Sequence, residues 1–238
     1  MKIALIGYGK MGKTIERMAI EQGHEVVLKL DIENKQAFTK ENLQKADVAI
    51  EFTRPESAFE NIEKCLESGI PVVSGTTGWL ENKKEIEAIC NREGGAFFYA
   101  SNYSVGVNIF FALNKFLAKM MNEQNQYTVE TEEIHHTQKL DAPSGTSITL
   151  AEGIIENMDA KNTWINESSD NIHQVPIISK RIDKVPGTHT IQYKSLVDDI
   201  EIKHTAHSRT GFARGAIQAA EWLIGKKGIF GMPDMLGF

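Results

Sequence analysis

The densest chemistry in the chain lies in one stretch, Glu132-Glu133-Ile134-His135-His136-Thr137-Gln138-Lys139-Leu140-Asp141-Ala142-Pro143-Ser144-Gly145-Thr146. A histidine can gain or lose a proton near neutral pH, and Lys139 adds a fixed positive charge with transferable protons. Adjacent histidines at the end of a strand point to opposite faces, so His135 and His136 are not expected to share a role or to chelate one metal ion. One suits proton chemistry and the other binding. Ser144, Gly145 and Thr146 offer hydroxyls and backbone N–H groups at a helix N-terminus, a ready site for a carboxylate. Taken singly, each of these residues belongs to an ordinary polar loop. As a set, beside a cofactor fold that needs a substrate site, they read as a catalytic centre. His24 and His173 lack such company and are expected at the surface.

The cofactor is read from Gly7-Tyr8-Gly9-Lys10-Met11-Gly12, which matches G-x-G-x-x-G. The pattern alone is weak, but here it follows an apolar strand and opens a helix, and Asp31 ends the next strand 19 residues after Gly12. Gly7 permits the tight turn, Gly9 admits the pyrophosphate to the backbone, and Gly12 lets helix and strand pack closely. The pyrophosphate is expected on the helix N-terminus, and Asp31 on the adenosine ribose. An acid there repels a 2′-phosphate, and the following Ile32 supplies no guanidinium, which favours NADH over NADPH. Lys10, or less readily Lys29 or Lys35, is what NADPH would need. Two further loops past strand ends, Gly75-Thr76-Thr77-Gly78 and Ala100-Ser101-Asn102-Tyr103, are expected to cradle the nicotinamide ribose and orient its carboxamide. Phe52-Thr53-Arg54-Pro55 reads as the cap of the next helix, with the lining of the cofactor cleft as the alternative.

These segments need a scaffold, and the apolar pattern supplies one. Ile3 to Ile6, Glu25 to Leu30, Val48 to Phe52, Pro71 to Ser74 and Ala96 to Tyr99 read as strands separated by helices, the grammar of a parallel βαβ sheet. From Ser104 the pattern changes. A helix through Val107, Phe110, Leu113, Leu117 and Met121 leads into a half-exposed strand, Tyr127 to Ile134. A helix over Thr146 to Met158 precedes a polar loop, Asp159 to Asn171, and strands at Val175 to Ile182, Thr188 to Lys194 and Ile200 to Thr205, as in a mixed or antiparallel sheet. A last helix, Ala213 to Gly225, can return to the first sheet. The fold class is α/β: an N-terminal Rossmann-type parallel sheet completed by the C-terminal helix, plus a central α+β domain with a mixed sheet.

Composition removes other classes. The 238 residues carry a net charge of −6, so no basic footprint invites nucleic acid or an anionic membrane. No stretch approaches a membrane span and no leader precedes the first strand, which reads as cytoplasmic. Cys65 and Cys90 stand far apart, each within a helical apolar pattern, and are expected in the core, with neither a disulfide nor a metal site.

The stretch Glu133-Ile134-His135-His136-x-x-Lys139-x-Asp141-Ala142-Pro143-Ser144-Gly145-Thr146 resembles the signature of the 4-hydroxy-tetrahydrodipicolinate (dihydrodipicolinate) reductase family of lysine and diaminopimelate synthesis. The resemblance extends to the glycine loop, Phe52 to Pro55, Gly75 to Gly78, Asn102 to Asn108 and the late His204-x-Ala206-x-Ser208-Arg209-x-x-Phe212 segment, almost the whole chain. It implies a dinucleotide-binding domain over 1–104 and 209–238, a substrate-binding and tetramerisation domain over 105–208, a hinge between them, and a homotetramer. Carried over by position, His135 is the acid/base residue, Lys139 the proton donor, and His136, Ser144, Gly145 and Thr146 the substrate-binding group. Cofactor positions are Gly7, Tyr8, Gly9, Lys10, Met11, Gly12, Asp31, Gly75, Thr76, Thr77 and Ala100 to Tyr103. Arg209 and Phe212 are candidates to touch substrate or cofactor. The chain departs from the family in a glycine loop shorter by one residue, in Ile32 after Asp31, and in a compact region around Lys184 to His189, where His189 keeps a polar role. Two rivals remain. An amino-acid dehydrogenase acting on aspartate or homoserine does not account for the reactive segment, and a sensor of NAD(H) has no need of Lys139.

Overall fold

In chain order the secondary structure opens with β1 (Lys2–Ile6), α1 (Lys10–Glu21), β2 (Glu25–Leu30), α2 (Lys40–Leu43), β3 (Val48–Glu51), α3 (Pro55–Glu67), β4 (Val72–Ser74), α4 (Lys83–Glu93) and β5 (Ala96–Tyr99). There follow α5 (Val105–Met121), β6 (Thr128–His135), α6 (Gly145–Ile155), β7 (Thr163–Ile165), β8 (Gln174–Arg181), β9 (Gly187–Lys194) and β10 (Asp199–Ala206). The chain finishes with α7 (Thr210–Leu223), β11 (Gly228–Phe230) and α8 (Met232–Leu236). The structure, a computed structural model, describes every residue except Arg209, so the expectation placed on that arginine lies outside the described residues. Two units form, one from Met1–Val105 with Thr210–Phe238, the other from Gly106–Arg209.

The first unit is a six-stranded sheet in the order β2-β1-β3-β4-β5-β11, parallel throughout. Its strands are almost uninterrupted apolar runs because helices cover both faces. Ile3 and Leu5 point into one core with Ile15 and Ala19 of α1 and Ala216, Ile217 and Ala220 of α7. Ala4 and Ile6 point into the other, with Ala58 and Ile62 of α3 and Ile86 and Cys90 of α4. Both cysteines are buried and free, as their spacing predicts. Chain direction across the sheet reverses beside β1, whose neighbours are β2 and β3. A doubly wound sheet opens a ligand crevice at that point, past the carboxyl ends of its strands.

The second unit is a mixed five-stranded sheet in the order β10-β9-β6-β8-β7. β6 at its centre runs antiparallel to β9 and parallel to β8. Val129, Val175, Ile177, Ile191 and Tyr193 join Phe110, Leu117 and Met121 of α5 and Leu150 and Ile154 of α6 in its core. Alternation along β6 buries Val129, Thr131, Glu133 and His135 and leaves Glu130, Glu132 and Ile134 partly exposed.

Some elements differ from the sequence reading. The polar stretch Asp159 to Asn171 holds the short strand β7, and β11 adds an edge strand to the first sheet beyond the returning helix. Both are three residues long, too short for a period-two signal to register. His24 is not a surface residue: its side chain is 11% exposed, with Nε2 at 3.1 Å from Glu221 and Nδ1 at 3.4 Å from the N-terminal amine.

Helix α7 lies so close to the end of β5 that a Cβ on Gly215 would come within 1.7 Å of the Tyr103 carbonyl oxygen. Gly215→Ala must push the helix off the sheet. Urea unfolding is expected to show a loss of about 1–3 kcal/mol in stability.

Candidate active site

The alternation of β6 separates the two histidines. His135 turns into the second unit and is 7% exposed, whereas His136 is half-buried. His136 lines an open hollow of about 400 Å³ together with Gln138, Lys184, Pro186 and Ser208. After β6 the chain turns tightly, the Lys139 amide donating to the His136 carbonyl at 3.1 Å. The Lys139 ammonium lies 2.8 Å from each carboxylate oxygen of Asp141, which holds the Asp141 carboxyl below its ordinary range. The peptide bond between Ala142 and Pro143 is cis.

Ser144 is spent on structure. Its hydroxyl caps α6 by accepting from the Ser147 amide at 3.2 Å, and its own amide donates to both Glu133 oxygens, at 3.1 and 3.2 Å. It is buried, so the outward donors at this helix start are the amides of Gly145, which is exposed, and Thr146, which is half-buried. First-turn amides have no partner inside the helix.

Register explains what surrounds His135. Pairing places His189 of β9 and Ser179 of β8 opposite Glu133, and Arg181 of β8 opposite His135. The Glu133 carboxylate is fully buried and accepts from the Ser179 hydroxyl at 2.8 Å, the Ser147 hydroxyl at 2.8 Å and the Arg181 guanidinium at 3.2 Å. Nδ1 of His135 stands 3.2 Å from it, off hydrogen-bond alignment, and Nε2 of His189 stands at 4.0 Å. Burial alone would raise the Glu133 pKa, but the nearby His135 ring and the hydrogen bonds from Ser144, Ser179 and Ser147 outweigh it and hold the group far below the ordinary carboxylate range. His189 is pushed down to about 4, first by burial and then by the neighbouring His135. It is neutral at neutral pH, its ring edge against that of His135 with centroids 5.1 Å apart. Donor atoms of Glu133, His135 and His189 lie within 4.8 Å of one another, a spacing some cations bridge. Serine and guanidinium donors already engage the carboxylate, and its Oε2 is the oxygen that faces Nδ1 of His135. Sequence reasoning quoted Glu133 only as the head of a motif, and it gave no place to Ser179 or Arg181. The signal available was an acid on the inward phase of an alternating strand.

In the first unit the glycine loop fits a dinucleotide. Gly7 has φ +95°, and a Cβ there would come 2.0 Å from the Phe52 carbonyl oxygen; one on Gly12 would come 2.2 Å from the Gly7 carbonyl. A side chain at Gly9 would meet nothing, so the space beside it is open. No side chain caps α1 and no acid sits in its first turn, which leaves its amides free for a phosphate. Lys10 is exposed on that turn, and Met11 packs on the core. Asp31 is exposed, its Oδ1 accepting the Ile32 amide at 2.7 Å. The Tyr8 hydroxyl hydrogen-bonds Glu16, which also holds Lys29 at 3.1 Å.

The other two loops are tied inward more than expected. Thr76 donates its hydroxyl to the buried Glu51 at 2.8 Å, and Ser74 donates to the same carboxylate at 2.6 Å. Tyr103 is buried, its hydroxyl donating to the Ser74 carbonyl at 2.6 Å, and Ala100 is also buried. Thr77 and Ser101 are exposed, Gly75 and Asn102 half-buried. Ala100 and Tyr103 therefore present almost no surface to a ligand.

Family patterns described as the N-terminus and the C-terminus of dihydrodipicolinate reductase match residues 1–103 and 106–236. The chain belongs to the dihydrodipicolinate reductase family. Among reductase relatives, 4-hydroxy-tetrahydrodipicolinate reductase of Christiangramia forsetii is 52% identical over 99% of this chain and 98% of its own. The protein of the same name from Methanoregula boonei is 32% identical over 99% of this chain and 98% of its own. Among solved structures, dipicolinate-bound dihydrodipicolinate reductase from Paenisporosarcina sp. TG-14 shares the fold, with a TM-score of 0.82, 23% identity and 98% of each chain covered. The reductase fold is therefore the frame in which the Glu133 cluster and the glycine loop stand.

The buried cluster makes the second unit acid-sensitive. The pKa of His189 is lowered on folding, so the unfolded chain takes up its proton first, and stability falls as pH drops from about 6.5 towards about 4. The lowered carboxyl of Glu133 acts in the same direction below about 4.5. Protection factors of the β6 and β9 amides, corrected for the intrinsic slowing of exchange in acid, are expected to fall across both windows. His189→Gln should flatten the upper one, a difference on the order of 1–3 kcal/mol.

Proposed function

We propose that this chain reduces 4-hydroxy-tetrahydrodipicolinate to tetrahydrodipicolinate and water in lysine and diaminopimelate biosynthesis. The observation that carries this reading is the 52% identity with a reductase of that name over nearly the full length of both chains. The geometry of the two units supports it. The bound nicotinamide dinucleotide supplies a hydride, and what remains for the protein is to hold a dicarboxylate and manage a proton.

The exposed Gly145 amide, the Thr146 amide and His136 are the anion-binding group for one substrate carboxylate. Lys139 donates the proton that hydride addition requires, and Asp141 holds its ammonium until substrate draws it away. His135, on the other face of β6, is the second group in proton transfer. The dipicolinate of the Paenisporosarcina structure is a ligand of the chemistry this arrangement takes. Gly7 to Gly12 and the α1 amides receive the pyrophosphate, Asp31 the adenosine ribose, and the loops Gly75 to Thr77 and Ala100 to Tyr103 the nicotinamide half. Residues 1–104 and 209–238 act as the dinucleotide-binding domain, and 105–208 as the substrate-binding and tetramerisation domain of a cytoplasmic homotetramer.

NADH is the preferred donor on two grounds. Asp31 repels a 2′-phosphate, and the nearby Lys29 is already paired with Glu16 at 3.1 Å. Enzymatically generated substrate, with absorbance followed separately for NADH and NADPH, tests the whole reading. Folded protein that binds a dinucleotide and turns over with neither would sink it. Lys139→Ala is expected to lower kcat on the order of 10²–10⁴-fold with cofactor Kd unchanged. Asp31→Ala is expected to weaken NADH far more than NADPH, and titration of intrinsic fluorescence would report it.

A further inference from the structure

We propose that Glu133 is a positioning residue for His135: its carboxylate takes the proton on Nδ1 and leaves Nε2 as the nitrogen that exchanges protons during reduction. This deepens the reading above and rests on His135 as a proton-transfer group.

Placement comes first. Residues 133 and 135 lie on the same inward face of β6, and Oε2 of Glu133 stands 3.2 Å from Nδ1 of His135. Nδ1 is buried and, among the described residues, has no hydrogen-bond partner. A small rotation of the ring would bring it into line with the Glu133 carboxylate. The carboxylate itself cannot follow the ring, because the Ser144 amide, the Ser147 and Ser179 hydroxyls and the Arg181 guanidinium hold both its oxygens. These donors come from the start of α6 and from β8, so two elements fix the acceptor before the histidine is considered.

The ring is bounded on two sides. His189 packs edge-on against it, and Nε2 of His189 meets the Ser144 hydroxyl at 3.3 Å, within the same network. Gly187 lies across the far edge, where a Cβ would stand only 3.1 Å from Nε2 of His135. Absence of a side chain at 187 keeps that nitrogen clear. A carboxylate behind Nδ1 selects the tautomer whose Nε2 is bare, and it stabilises the imidazolium that forms when Nε2 accepts a proton.

The test reads the tautomer directly. Long-range ¹⁵N–¹H correlation spectra of the uniformly labelled full chain, at about pH 8 where a histidine is ordinarily neutral, assign His135 by its loss in His135→Asn. The Nδ1–H form is expected in the unaltered protein. In Glu133→Gln the Nε2–H form should gain population, and kcat should fall on the order of 10²–10⁴-fold while KM for the cofactor stays constant. A purely structural role for Glu133 would lower activity without moving the tautomer, and that result overturns the proposal. An Nε2–H form in the unaltered protein overturns it with no variant required, so a Glu133→Gln chain that fails to fold does not shelter it. Full turnover by His135→Asn would remove the proton-transfer reading itself, an outcome separate from a wrong tautomer in an active histidine.

Discussion

The second unit depends on one buried charge. Glu133 has no contact with water, and an ionised carboxylate in that setting is tolerated only if its lone pairs are filled. Four partners donate to it, and they come from the strand on one side and the helix start beyond the reactive loop. The loop between β6 and α6, with Lys139 and Asp141, is therefore anchored at both ends to a single side chain. Strand pairing gives that anchor its partners. A slip of one residue between β6 and β9 would bring Glu132 or Ile134 to the inward position and strand Arg181 without its acid.

The first unit solves the same problem with different materials. Glu51, at the end of β3, is as deeply buried as Glu133 and also lies beneath functional loops. Its donors are the hydroxyls of Thr53, Ser74 and Thr76 and the Thr53 amide, with no guanidinium among them. Burial then wins, and its pKa moves up where that of Glu133 moves down. Both carboxylates fasten loops to strand ends. The one beside the histidines keeps a firm negative charge, which suits a group facing an imidazole. The one at the end of β3 holds hydroxyl groups that would otherwise turn outward, which is why Thr76 offers a ligand less than its sequence suggests.

Much of this was legible in the residues. The glycine loop, its flanking strand and helix and the strand boundaries at Glu25–Leu30 and Ala96–Tyr99 follow from periodicity and turn chemistry, both local properties. Opposite facing of His135 and His136 followed from strand geometry alone. The surroundings of His135 did not, because Ser179, Arg181 and His189 lie more than forty residues along the chain and meet Glu133 only through register. Ser144 reads as a ligand-facing hydroxyl because a helix start favours anions. Only the three-dimensional network shows that its hydroxyl is spent on the cap and its amide on Glu133. Strands β7 and β11 escaped for a simpler reason, being shorter than any repeat that pattern can reveal.

Strand β11 also sets an order of events. It pairs with β5, yet the whole second unit is written between them. During synthesis the inserted unit has every one of its own strands, and can collapse around Glu133, while the dinucleotide sheet still lacks its edge strand and the helix α7 that covers one face. The first unit is thus the last to be sealed, and its apolar inner surface is the part of the nascent chain that stays open longest.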